Sequence, residues 1–258
     1  MHSAHFWHKF DLRWQKISLL ALFFCLSVGW KASGQLNASI NLPNFDNQKI
    51  HYGFMIGIHS AKFGLQYSDE FVQLDLDTLH SIIPEPALGF RIGFIANYHI
   101  FDVLDVRGGI TVSFNQLKLL YRYTDGTELE ELIDPTYVEL PLLLKYKSIR
   151  RRNRRMYALV GLNPGFKASG TRDEEDTQER LLTNNFNLSL ELGAGFDIYQ
   201  PFFKFSPEIR YSLGLRNVLD EQPNDFSAGI KRLSLHTVSF YITFEGGPSE
   251  LKKVRKKK

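Results

Sequence analysis

Between Phe186 and Ile198 every second residue is apolar. Phe186, Leu188, Leu190, Leu192, Ala194, Phe196 and Ile198 alternate with Asn187, Ser189, Glu191, Gly193, Gly195 and Asp197. An extended chain points successive side chains to opposite faces, so this is a strand with one greasy and one wet face. The alternation recurs. It predicts strands over Ile50–Gln66, Ala87–Tyr98, from Leu104 onward, and over Tyr137–Tyr146, Met156–Phe166, Phe203–Leu215 and Leu233–Phe244. Asn163-Pro164-Gly165 interrupts the Met156–Phe166 strand, the least regular of the set. Pro141 and Pro207 fall inside predicted strands. Proline removes a ladder donor and belongs at edges or bulges, and a closed sheet has no edge, so a bulge is expected near each.

Short and long connections take turns along the chain. His99–Val103 and Tyr199-Gln200-Pro201 are tight, whereas the segments after the first, third, fifth and seventh strands are long. Short turns on one side and long loops on the other mark a bacterial outer-membrane barrel. The expectation is an all-β, eight-stranded antiparallel transmembrane β-barrel over residues 50–245. A soluble up-and-down barrel would carry the same periodicity with its apolar face inward. Here the wet face bears Arg91, Asp105, Arg107, Glu139, Lys145, Glu191, Asp197, Lys204, Glu208 and Arg210. Mixed charges can pair inside a narrow lumen, and the Phe, Leu, Ile, Tyr and Val of the other face suit lipid. Tyr52, Tyr98 and Tyr146 near the predicted periplasmic strand ends fit an interfacial aromatic girdle.

The N-terminus changes the compartment. Lys9, Arg13 and Lys16 precede an apolar run, Ile17–Val28, and then Ala32-Ser33-Gly34. This reads as a signal peptide over 1–34, because the run is short of the roughly 20 residues a spanning helix needs. Residues 35–49 are a polar periplasmic lead-in, and 246–258 a basic periplasmic tail. The one cysteine, Cys25, lies inside the signal, which excludes disulfides, thiol nucleophiles and cysteine metal sites from the exported chain. The formal net charge of +3 names no partner. Its distribution says more. Asp69, Glu70, Asp75, Asp77, Asp125, Glu128, Glu130, Glu131, Asp134 and Asp173 to Asp176 make the long loops acidic. Lys147, Arg150, Arg151, Arg152, Arg154 and Arg155 make one short turn basic, and Lys252, Lys253, Arg255 and Lys256 to Lys258 do the same for the tail. Opposite fields steer association, so Arg150, Arg151, Arg152, Arg154, Arg155, Lys252, Lys253 and Arg255 are candidates for docking an acidic periplasmic partner. Export argues against nucleic acid as the target of that arginine run.

A barrel of eight strands is filled by side chains, which argues against conduction by this chain alone. Arg91, Arg107, Glu139, Lys145, Glu191, Glu208 and Arg210 are therefore read as a lumen polar network that holds the barrel shut, because charges removed from water need partners. His51, His59 and His99 lack metal-ligand spacing, and no cofactor or metal is expected. Ser234 and His236 share a face of the last strand. A Ser–His pair with an acid would suit a membrane lipid hydrolase, but an outward Ser and His more often serve an interface.

Three segments carry a family resemblance. Tyr137-Val138-Glu139-Leu140-Pro141-Leu142-Leu143-Leu144-Lys145-Tyr146 resembles a strand of the PorT family of outer-membrane barrels. Asn41-Leu42-Pro43-Asn44-Phe45-Asp46 followed by Ile50-His51-Tyr52-Gly53-Phe54 resembles that family's start, and Phe205-Ser206-Pro207-Glu208-Ile209-Arg210-Tyr211-Ser212-Leu213-Gly214-Leu215 one of its late strands. The resemblance implies a non-enzymatic accessory of type IX protein secretion, which supports gliding in some bacteria. It also implies outer-membrane lipid and secretion-system proteins as partners. A general small barrel for adhesion or envelope stability is the alternative.

Overall fold

The computed structural model describes residues 40–72, 79–168, 181, 183–220, 227 and 229–246. The expected signal peptide, Asp75, Asp77, Asp173 to Asp176 and the basic tail lie outside the described residues. Among the described residues there are twelve strands. In chain order they are β1 (Ile50–Tyr67), β2 (Leu79–Glu85), β3 (Ala87–Phe101), β4 (Leu104–Phe114), β5 (Leu117–Tyr123), β6 (Glu128–Ile133), β7 (Thr136–Glu139), β8 (Leu142–Lys147), β9 (Arg154–Lys167), β10 (Phe186–Tyr199), β11 (Phe203–Gly214) and β12 (Ile230–Gly246).

The ring runs β1, β3, β4, β7 with β8, β9, β10, β11 and β12, each antiparallel to its neighbours, and β12 pairs back onto β1. Counting β7 and β8 as one broken strand, this is an eight-stranded closed barrel. Closure satisfies every backbone group within the sheet, which the hydrocarbon core demands. The period-two pattern settles which face is outside. Leu88 is 77% exposed, Phe94 74% and Tyr52 68%, whereas Lys145 and Asp197 are fully buried. The apolar face is the outer wall, and the wet face lines the lumen.

Neither proline produces the expected bulge. Glu139 lies opposite Thr111 and Leu142 opposite Gly108, so two residues face two across the break at Leu140-Pro141. Pro207 sits in β11 opposite Ile242 with no shift of register. The ladder omits a proline's missing donor without inserting a residue. Asn163-Pro164-Gly165 likewise stays within β9, and the Pro164 carbonyl accepts the Leu140 N–H at 2.9 Å.

The turns at 102–103, 148–153 and 200–202 are short, and the connections at the other end are long. The short-turn end is therefore periplasmic and the long-loop end faces outward. The outer end carries a feature that period-two alternation does not reveal. Strands β2, β5 and β6 form a separate antiparallel sheet in the order β2–β5–β6. Its signal was Asp125-Gly126 between alternating runs, a hairpin dipeptide; Gly126 has φ +89°, which a side chain would strain. The cap sheet buries Ile82, Leu117, Leu119 and Tyr121 against Phe63, Leu233 and Leu235 from the upper ends of β1 and β12.

Candidate functional site

Inside the membrane-spanning half, inward side chains join into one continuous polar chain. Near its outer end Arg91 meets Glu139 at 3.1 Å, and donates to Ser113 at 2.9 Å and to the Tyr241 hydroxyl at 2.7 Å. The Asn163 amide bridges Glu139 at 3.0 Å and Glu191 at 2.9 Å. Glu191 pairs with Arg210 at 3.2 Å, and Arg210 pairs in turn with Glu208. Glu208 accepts from Arg107 at 2.8 Å and from Tyr157 at 2.7 Å. Arg107 reaches Glu245 at 3.3 Å; Glu245 binds Lys204 at 2.7 Å. Lys204 lies 3.9 Å from Asp197, which holds Lys145 at 2.8 Å.

All seven residues expected for a lumen network lie in this chain. Asp197 and Lys204 had been placed on the wet face only; Glu245, beyond the predicted end of the last strand, had not been placed at all. Within this network the five cations Arg91, Arg107, Arg210, Lys145 and Lys204 face the five carboxylates Glu139, Glu191, Glu208, Glu245 and Asp197, so the network's own charge balances. Pairing is obligatory here, since an unpartnered charge in this setting costs several kcal/mol, roughly 3–5 when one partner is removed.

The periplasmic mouth is closed by the lead-in. Phe45 is buried, stacked on His51 at 4.0 Å between centroids and set edge-on to Tyr199 at 5.8 Å, with the Lys204 ammonium 4.7 Å from its ring. Asp46 accepts from Arg150 and Arg155 at 3.2 Å each and from the Tyr199 hydroxyl at 3.0 Å. Asn41 is bound to Asn153 and to the Tyr199 carbonyl, and Arg150 donates to the Asn41 carbonyl. Burial alone would raise the Asp46 pKa. The charge of Arg155, the Tyr199 hydroxyl and Arg150 outweigh it and hold the carboxyl below its usual range.

This clamp redraws the basic turn. Arg150, lying 3.6 Å over the Tyr199 ring, and Arg155 face the lead-in rather than the periplasm. Lys147, also read as part of the basic turn, is buried and bonds Asp105 at 2.5 Å. Arg151 and Arg154 remain exposed, and Arg152 is held in a left-handed conformation at φ +56°. Lys252, Lys253 and Arg255 lie outside the described residues. The clamp was invisible to period-two reading, because residues 41–48 have no alternation.

Ser234 and His236 do meet on the outer wall. The Ser234 hydroxyl is 3.0 Å from His236 Nε2, and Nδ1 faces the Tyr211 hydroxyl at 3.4 Å, where a hydrolase would place an acid. Among the described residues no group of three His, Cys, Asp or Glu could hold a metal ion.

Residues 34–220 match the family model described as outer membrane protein beta-barrel domain. The chain belongs to that family. As a member of the outer-membrane β-barrel family it resides in the outer membrane. Among solved structures it is similar to OprG from Pseudomonas aeruginosa, at 14% identity over 76% of this chain and 93% of that one, with a TM-score of 0.44. It is also similar to Neisserial surface protein A, at 13% identity over 76% and 97% and a TM-score of 0.39. The outer-membrane protease OmpT of Escherichia coli is a further similar structure, at 9% identity over 76% and 93% and a TM-score of 0.37. No curated protein matches the chain.

Proposed function

We propose that this barrel is a non-enzymatic accessory of type IX protein secretion, of the PorT kind, which acts by contact at its periplasmic end. The observation that carries the reading is the resemblance over three separate segments, Asn41–Phe54, Tyr137–Tyr146 and Phe205–Leu215. The interior supports action by contact rather than conduction. The lumen is filled by paired charges, closed below by Phe45 and above by the cap core. The periplasmic rim offers Arg151 and Arg154 together with the highly exposed Ile149 and Phe202, a mixed basic and apolar surface suited to an acidic protein partner. Absence of catalysis is supported by the Ser234–His236 pair itself. Its third neighbour is a tyrosine rather than a carboxylate, and Ser234 sits within the ladder opposite Gly64 rather than at a turn that would present free backbone donors to an oxyanion. Ser234→Ala is expected to leave lipid A unchanged.

Deletion of the protein tests the reading. Cargo should accumulate in the periplasm and be lost from the medium, and normal secretion with normal gliding would reject it. The cap sheet favours adhesion or envelope stability as a second reading, since it sets the exposed Leu129 and Leu132 at the outer surface. On that reading deletion would leave secretion intact and reduce surface attachment or detergent resistance.

A further inference from the structure

Toward the outer end, the apolar outer wall gives way to a polar and cationic band. On β1 the outward residues run Tyr52, Phe54, Ile56 and Ile58, then Ser60, Lys62 and Gln66. On β12 they run Phe244, Ile242, Phe240 and Val238, then His236, Ser234 and Arg232. Ile58 lies opposite Phe240, Lys62 opposite His236, Gly64 opposite Ser234 and Gln66 opposite Arg232. The change from apolar to cationic therefore occurs at one level on two adjacent strands, toward the outer end. No outward position of β1, β11 or β12 is Asp or Glu. On the remaining strands of the ring, the only charged outward position is Arg154, at the opposite end.

The band has a built floor. His236 stacks parallel to Tyr211 and touches the Ser234 hydroxyl. A side chain at position 64 would collide with the His236 ring and the Ser234 hydroxyl, so Gly64 leaves the space the imidazole occupies. Lys62 is exposed and makes no ion pair or hydrogen bond among the described residues. Arg232 donates one nitrogen to the Leu215 carbonyl at 2.8 Å and stays exposed. Next to Arg232 in the chain, Lys231 is already paired with Asp69 at 3.3 Å.

Cations with no ion-pair partner among the described residues, just above a hydrocarbon-facing wall, fit an anionic amphiphile. Its chains would lie on Ile58, Val238 and Phe240, with its headgroup between Lys62 and Arg232. Guanidinium and ammonium groups favour phosphate oxygens, and the level of the band is that of the outer leaflet. We propose that this band binds the phosphorylated headgroup of an outer-leaflet glycolipid.

The full-length protein in detergent is titrated with bis-phosphorylated lipid A and with dephosphorylated lipid A, and retention is read by native mass spectrometry. The phosphorylated lipid is expected to be retained at least about tenfold better, and Lys62→Ala with Arg232→Ala should remove about that factor. Lys62→Arg should keep binding, and Arg122→Ala in the cap should not alter it. Heat-modifiable mobility verifies that each variant is folded, and the exposed Lys62→Glu replaces the double variant if that one fails. Millimolar inorganic phosphate should not displace the lipid. Equal retention of the two lipids, undiminished retention by the folded variants, or displacement by free phosphate would overturn the site.

Discussion

The barrel interior is two materials in one tube. In the membrane-spanning half, inward positions carry Arg107, Glu208, Lys145 and Asp197; toward the outer ends of β1 and β12 they carry Ala61, Phe63, Leu233 and Leu235. The difference follows from what lies outside. Where the outer wall faces lipid, apolar residues are already used there, and a paired polar filling gives the lumen its specificity. Above the membrane, water returns to the outside, and the interior becomes an ordinary apolar core, completed by the cap sheet. Apolar burial is tolerant of small changes in shape. A buried ionic chain is not, because each member leaves a stranded charge behind.

Breaking the polar half should have the largest effect. Arg107→Leu removes the cation shared by Glu208 and Glu245 and leaves the buried chain with one uncompensated negative charge, and should cost about 3–5 kcal/mol, read as a lower urea midpoint and lost heat-modifiable mobility. Replacing Arg107 and Glu208 together by apolar residues should recover part of that loss.

In the apolar half, Leu119→Ala should cost about 2–5 kcal/mol of cap stability while the membrane-spanning ladder persists. Protease added to intact cells should then cut near β5 and β6, with the urea midpoint of the barrel unchanged. A global loss of folding would show that the two halves are one cooperative unit.

The mouth clamp should respond more weakly, and to pH. The folded pKa of Asp46 lies below its unfolded value, so its contribution is complete above the unfolded value and fades as pH falls through the folded one. Asp46→Asn should loosen residues 41–48 at neutral pH to about the degree that acid does in the wild type. Amide hydrogen exchange of that segment measures both.

The smallest structural effect should come from Arg151→Ala with Arg154→Ala and removal of residues 252–258. The barrel should insert normally while secretion falls; wild-type secretion would exclude a basic docking surface.

The eight walls and their facing were legible because period two survives wherever one side must be greasy and the other wet. Strand ends were less so. Lys147 looked like a turn residue, and only the pairing of β8 with β4 and β9 reveals that it points inward to Asp105. The partners within the lumen were not legible. Arg107 and Glu208 are far apart in sequence, and strand register decides their meeting. The clamp depended on a residue with no periodic neighbours, Asp46, and the cap on a hairpin signal passed over inside a loop assumed to be merely acidic.

The pairing of the first and last strands has a consequence for time. β1 finds its ladder partner β12 only after residues 230–246 have been delivered, so ring closure waits on that strand. Long sequence separation makes such contacts late and slow. The Phe45 and Asp46 contacts with Tyr199, Arg150 and Arg155 likewise join distant parts of the chain. An assembling barrel that has seated its lead-in has therefore already brought these periplasmic ends together, and protection of residues 41–48 would serve as a clock for the last stage of insertion.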